Sequence, residues 1–366
     1  MILTALVFFI VLSILVFVHE FGHYIVARFI GVKVEEFGFG LPPRIWGKKI
    51  GPTEYSLNWL PIGGFVRLAG EDQEPDSIPK AKFKGKLKEY FWARSKKERA
   101  SILLAGVTMN FLLAVLITVG LLIDGVKEPS GRVHIERVIA GSPADKAGLL
   151  SGDILVSASD VPLGDAGEQK RLTVPGDVID FVSTRKGREM QFSALRAGRE
   201  FRVTMVPRSE YPKGEGPTGV AITDLELKKY PLSEAPVAAT RINLERAWEM
   251  LRSLAVTVYR LVTLQPIAAD VAGPVGIAQI TGEAVKFGWR AVVELMSILS
   301  LNLAVLNILP VPALDGGRLA FVFLEKVMGR RIKPMFEKST HQIGMIILLL
   351  LVLLVTINDV LRLLRG

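Results

Sequence analysis

The sequence predicts a multi-pass α-helical membrane protein with four transmembrane helices, a cytoplasmic-side β-hairpin and an inserted α+β domain. Three observations carry this expectation. Half of the 366 residues are hydrophobic and only 22% are charged, with a mean hydropathy of +0.37, outside the range of ordinary soluble or disordered chains. Four segments approach the roughly 20 apolar residues that a bilayer core of about 30 Å demands. Basic residues concentrate in two of the stretches between these segments, as they do in cytoplasmic loops. The excess of 45 Lys and Arg over 36 Asp and Glu therefore reflects membrane topology, and nucleic acid is not an expected partner. The absence of cysteine excludes disulfides, thiolate metal sites and a cysteine nucleophile.

Residues 1–30 form the first transmembrane helix, apolar from Ile2 to Val18 and running on through His19. Without a positive n-region or a small-residue cleavage site it reads as a retained helix and not as a signal peptide. Residues 31–100 carry 14 Lys and Arg, which makes this loop cytoplasmic and puts the N-terminus outside. Within it, Tyr55–Trp59 and Gly63–Leu68 read as two strands around a Pro-Ile-Gly turn, apolar enough to dip into the membrane interface. The basic run Lys80–Lys88 reads as a solvated or lipid-facing loop. Residues 101–123 form the second span.

The segment from Asp124 to Lys286 then lies across the membrane from the cytoplasm, and its 21 basic and 21 acidic residues show no bias. Residues 131–208 read as a compact module of short β-type runs separated by Gly-Ser-Pro and Ser-Gly-Asp turns. The run Gly141–Leu149 followed by Gly152–Leu155 resembles the strand, turn and helix signature of a PDZ domain. That resemblance implies a groove able to take a peptide ligand by strand addition. Residues 209–290 read as an outer-surface linker with an amphipathic helix at Glu245–Val262, whose apolar positions are Ala247, Leu251, Leu254, Val258 and Leu261. Two tasks are open to it, gating lateral entry from the membrane or plain packing. The third span covers 291–309, a cytoplasmic loop 310–341 and the fourth span 342–362, which places both termini outside. Six basic against two acidic residues between Arg318 and Lys338 support the cytoplasmic side for that loop.

The chemistry centres on His19-Glu20-Phe21-Gly22-His23. On a helix, residues four apart project from one face, so two imidazoles can grip one zinc ion with Glu20 beside them as a base. Three ionisable side chains following directly on an apolar span would otherwise be expensive. At 1.5 Å per residue His19 lies about 26 Å along the helix from Ile2, near the cytoplasmic face, from which water can reach it. A catalytic zinc takes three protein ligands and keeps one position open. The third ligand is His134, His341 or a carboxylate, and Asp315 is favoured because it ends an apolar span on the side where His19 and His23 emerge. Pro310 and Pro312 break the helix before it, and Gly316 and Gly317 permit close approach. An acidic cap of a helix over Arg318–Met328 is compatible with that ligand role.

An early His-Glu-x-x-His in a span, the inserted module and the late Asn307-x-x-Pro-x-x-x-Leu-Asp-Gly316 run together resemble the site-2 protease family of intramembrane zinc metalloproteases, bacterial RseP/RasP type with one PDZ domain. The resemblance extends to Phe37–Gly40, Pro61–Val66, Gly106 with Asn110, and Gly273–Ile277. It implies one Zn2+ per chain held by His19, His23 and Asp315, with Glu20 as general base and Asn307 close to substrate. It also implies a membrane-reentrant β element in which Gly63, Gly64, Phe65 and Val66 hold the substrate backbone extended. Expected substrates are single-pass membrane proteins, such as anti-sigma factors or remnant signal peptides. The expected location is the bacterial inner membrane, with the PDZ domain outside the cytoplasm and the active site toward the cytoplasmic side. A proton- or ion-coupled transporter and a metal-binding PDZ scaffold are the competing functions. Scattered acids and an inverted repeat, which would mark a transporter, are missing from the sequence.

Overall fold

A computed structural model describes residues 2–71, 87–160, 169–212, 214–263, 265, 273–332 and 334–365. Most of the Lys80–Lys88 run lies outside the described residues. The chain divides into two compact units, Met1–Leu121 with Pro231–Gly366, and Leu122–Tyr230.

Among the described residues, the first unit contains four helices long and apolar enough to cross a membrane, Ile2–Ile30, Lys96–Asp124, Trp289–Asn307 and Met335–Leu361. They belong to α1 (Ile2–Ile30), α2 (Lys96–Asp124), α7 (Trp289–Asn307) and α9 (Pro334–Arg365). Intervening helices are α5 (Ala235–Val262), α6 (Pro274–Phe287) and α8 (Asp315–Met328). Of the four long helices α2 is the most enclosed and α9 the least. On α9, Leu349, Leu350 and Leu354 are each more than half exposed, an outward apolar surface suited to lipid rather than water. Three helices begin before the expected spans, α7 by two residues at Trp289, and α2 and α9 by more, since Lys96–Ala100 and Pro334–His341 carry the helix beyond its apolar portion. Helix α5 starts at Ala235, well ahead of Glu245. Its buried stripe, Ala235, Ala239 and Asn243, precedes the apolar positions expected from the sequence, and Val258 is exposed.

Between α1 and α2 the chain forms β1 (Val34–Ile50) and β2 (Thr53–Leu68). The expected hairpin is replaced by a more interleaved arrangement. Phe37 and Gly38 pair with Val66 and Phe65 on one side and with Tyr55 and Ser56 on the other, so the first half of β1 lies between the two halves of β2. Residues Arg44–Ile50 pair with the stretch from Thr53 to Asn58. The runs Tyr55–Trp59 and Gly63–Leu68 thus share a partner strand and are not paired to each other. Gly38 is required there, because a side chain would meet the Phe65 ring, whose Cζ would be only 2.6 Å away. An aromatic seam joins the sheet to α1: Phe17 and Tyr24, with Phe21 stacked between them, contact Phe37, Phe39 and Tyr55, and the two tyrosine hydroxyls are 2.6 Å apart. Beneath it, Ala27, Val34, Leu68, Ile102 and Val322 share one apolar core.

A buried ion pair between Arg99 and Glu325 fixes the start of α2 to α8, and Lys96 Nζ donates to the Glu325 carbonyl at 2.8 Å. Breaking such a pair leaves an uncompensated buried charge.

The second unit is a six-stranded sheet of order β7-β6-β4-β3-β8, with β5 paired to β4. Its strands are β3 (Val126–Val138), β4 (Ile154–Asp160), β5 (Lys170–Arg171), β6 (Met190–Arg196), β7 (Arg199–Met205) and β8 (Val220–Lys228), with helices α3 (Pro143–Lys146) and α4 (Pro175–Ser183). The unit extends past the expected 131–208 module because β8 pairs along β3 from Val138↔Val220 to Val126↔Lys228. Its core includes Ile135, Leu155, Phe181 and Phe192. Asp153 is enclosed and accepts from Arg196 Nε and Nη2 at 2.7 Å each and from the Leu150 N–H at 2.8 Å. Burial alone would raise the Asp153 pKa, but these donors outweigh it and hold the carboxyl below the usual range.

Glu325→Ala should destabilise the detergent-solubilised protein by about 3–5 kcal/mol, read as a lowered unfolding midpoint. The Asp153 contribution should be complete above the ordinary Asp pKa of about 3.9 and vanish as pH falls through the lower folded value. Hydrogen exchange of Ile154 and Leu195 in the full chain measures this, with protection decreasing on acidification and already weakened in Arg196→Ala.

Candidate metal centre

His19 and His23 stand one helical turn apart on α1, both more than nine-tenths buried. Their Nε2 atoms are 3.2 Å apart, and Asp315 Oδ2 lies 3.0 Å from the first and 3.3 Å from the second. The three residues form a group able to hold a metal ion. Four ligand atoms at about 2.0–2.1 Å from a tetrahedral zinc are about 3.3 Å from one another, so the observed triangle matches one face of that tetrahedron. Asp315 Oδ2 is buried without a well-directed hydrogen bond, as suits an oxygen facing a cation.

Each donor is placed by a different device. Gly22 lets α1 approach α2 closely, since a Cβ there would come within 2.5 Å of the Ala105 carbonyl oxygen. Gly106 leaves the space that the imidazoles occupy: a Cβ would sit 2.6 Å from His19 Cε1 and 2.8 Å from His19 Nε2. The His23 Nδ1–H donates to the Ile102 carbonyl at 2.8 Å. Asp315 is the first residue of α8, and the cap position belongs to Leu314, so the capping role considered from the sequence is not the one it adopts. The turn before it contains Ala313 in the left-handed region at φ 79°, a conformation that a non-glycine residue holds only when its surroundings enforce it. His341 supplies one such constraint, its Nδ1 accepting the Ala313 N–H at 3.0 Å. Gly344 supplies another, since any side chain there would strike Pro312. Arg318, one turn into α8, pairs with Glu71 just beyond β2.

His341, weighed as a third ligand, therefore supports the Asp315 turn without joining the cluster. His134 lies in the other unit, with its Nε2 3.1 Å from Ser130 Oγ. Glu20 and Asn307 line a cavity of about 230 Å³ together with Val16, His19, Leu303, Ala313, Leu314 and Asp315. The strand Gly63–Val66 borders this region through its glycines: a Cβ on Gly64 would lie 3.8 Å from Glu20 Cγ and one on Gly63 3.4 Å from Val16 Cγ1. The Phe65 ring covers Gly38 and Val66 packs on the core containing Ala27. Neither side chain lines the cavity. The contributions of the Ile102 carbonyl, His341 and Ala313 escaped the sequence reading. The signal available for His341 is its place two residues before Ile343, where the apolar run of the last span begins.

The model of peptidase family M50 matches residues 7–351. The zinc metalloprotease RasP of Shouchella clausii is 30% identical over 98% of this chain and 99% of its own length. The protein of the same name from Geobacillus kaustophilus is 28% identical over 96% of each chain. A match of this extent, falling on a chain with four apolar helices and a clustered His, His, Asp triangle, means that the protein belongs to peptidase family M50, the site-2 proteases, and is an intramembrane zinc metalloprotease.

Proposed function

We propose that His19, His23 and Asp315 hold the zinc, that Glu20 is the general base, and that the substrate is a transmembrane segment of a single-pass membrane protein. The observation that carries this reading is the triangle of donor atoms 3.0–3.3 Å apart opening on the cavity that Glu20 and Asn307 line. When bound, zinc supplies Lewis acidity, which acidifies water and polarises the scissile carbonyl. The chain's own residues do the rest. Glu20 takes the proton of the attacking water and delivers it to the leaving amine, so the peptide bond is exchanged for a carboxylate and an amine with no other reactant. Asn307 offers its amide to the substrate backbone across the same cavity.

A helical substrate hides its carbonyls in its own hydrogen bonds, and unpaired backbone in lipid costs several kcal/mol per group. The Gly64–Leu68 segment has β1 on one side, and strand addition along its other edge would satisfy an unwound substrate. Gly63 and Gly64 suit that role through their backbone, next to Val16 and Glu20. Anti-sigma factors and remnant signal peptides have the required single-pass form.

The concentration of basic residues in 31–100 and 310–341 supports an active site toward the cytoplasm of a bacterial inner membrane, with Leu122–Tyr230 on the other side. We assign that unit a PDZ-type role: β8 is an edge strand of its sheet and Gly219, at φ 76°, turns the chain into it. Such an edge can admit an extended peptide.

Glu20→Gln should retain zinc and lower cleavage of a model membrane substrate by about 10²–10⁴-fold, measured in reconstituted vesicles. Unchanged turnover would remove Glu20 from the mechanism, and intact substrate with the wild-type protein would favour a scaffold. Gly106→Val should displace both imidazoles and leave the purified protein with far less than one zinc per chain by elemental analysis.

A further inference from the structure

The two histidines are held from behind by one face of α2, but by groups of different kinds. Ile102, Gly106 and Asn110 follow one another at single-turn spacing. Ile102 gives its carbonyl to His23 Nδ1, Gly106 gives space, and Asn110 faces His19, with its side-chain nitrogen 3.3 Å from His19 Nδ1. Asn110 is wholly buried, and its Oδ1 has no hydrogen-bond partner. Ser300 Oγ on α7 donates to the Asn110 backbone carbonyl at 2.8 Å and is itself wholly buried, which ties α7 to α2 at this residue.

The tautomer of His23 follows from its neighbour, because a carbonyl can only accept. Its Nδ1 carries the proton and its Nε2 presents a lone pair to the cluster. His19 needs the same tautomer if its Nε2 is to be a ligand, so its Nδ1 must also carry a proton. An amide NH2 set against that N–H would be donor against donor. The two ends of an amide have nearly the same shape, and turning Asn110 over brings the partnerless Oδ1 to the imidazole. We infer that Asn110 is a positioning residue of the metal centre, its amide oxygen accepting the His19 Nδ1–H and thereby fixing the tautomer and ring orientation that present Nε2 to zinc. This rests on the assignment of His19, His23 and Asp315 as ligands. It gives the centre an asymmetric support, in which His23 depends on a main-chain carbonyl that no substitution at Ile102 removes, whereas His19 depends on a side chain.

The test is zinc affinity of the full chain in detergent, by competition with a chromophoric chelator at fixed pH. Partners that orient a ligating histidine typically change affinity by about 10–100-fold, so Asn110→Leu should bind zinc about 10–100-fold more weakly than wild type. Asn110→Asp, which can accept but cannot donate, should restore affinity to within a few-fold. Should the leucine variant fail to fold, Asn110→Ala, which removes the amide without adding bulk, takes its place. Wild-type affinity in the leucine or alanine variant overturns the inference. So does an aspartate variant as weak as they are, because that outcome means the amide acts as a donor or a packing group. Failure of the ligand assignment is distinguishable, since His19→Ala and Asp315→Ala would then keep the full zinc affinity of the wild type.

Discussion

Three electron-rich atoms brought within 3.0–3.3 Å of one another, in a place almost closed to water, repel unless something positive stands among them. That repulsion is the constraint around which the first unit is organised. On the proposed assignment, two neutral imidazoles and one carboxylate would leave a divalent ion with a net charge of about +1, tolerable near the end of a membrane helix and still strongly polarising. The same triangle in a lone helix would be unstable. It persists because α1, α2 and the turn before α8 are each locked by contacts elsewhere: the Gly22 approach to Ala105, the Gly106 gap, and the His341 bond to Ala313.

The placement of the surrounding parts follows from the need to keep that centre dry on one side and open on another. The α2 helix, the most enclosed of the long helices, covers the back of both imidazoles. The front opens to the cavity with Glu20 and Asn307, and the Gly63–Gly64 backbone passes beside it. Glycine is used where a backbone must come close: Gly38 under Phe65, and Gly64 beside the Gly38 carbonyl, where a Cβ would stand 2.8 Å from the oxygen. The Arg99–Glu325 and Arg318–Glu71 pairs join α2 and the end of β2 to α8, the helix that carries Asp315.

Much of this was legible in the linear chain. Long apolar runs announced the four helices, since length and hydropathy are additive properties of a segment and need no knowledge of its neighbours. His19, Glu20 and His23 were readable for a related reason, because one turn of a single helix sets their relation. Asp315 was reachable only by an argument from topology, because nearly 300 residues separate it from His23 and no local rule spans that interval. The sheet was misjudged as a simple hairpin. Strand propensity marks which residues are extended but does not say which of two partners each edge will take, and here the first half of β1 took both.

The linear chain sets the content of each piece: four apolar helices, a two-histidine turn with its glutamate, a proline-broken segment ending in an aspartate, and a charge distribution that distinguishes two loops from the rest. How those pieces serve one another depends on packing between distant segments. Ile102 acts through a carbonyl that every residue possesses, Asn110 through an amide whose partner lies on another helix, and His341 by bracing a strained alanine rather than by joining the cluster. The physical reason is that ligand identity is a property of residue type, whereas orientation is a property of distances between segments far apart in the chain, and those exist only after packing has brought the helices together.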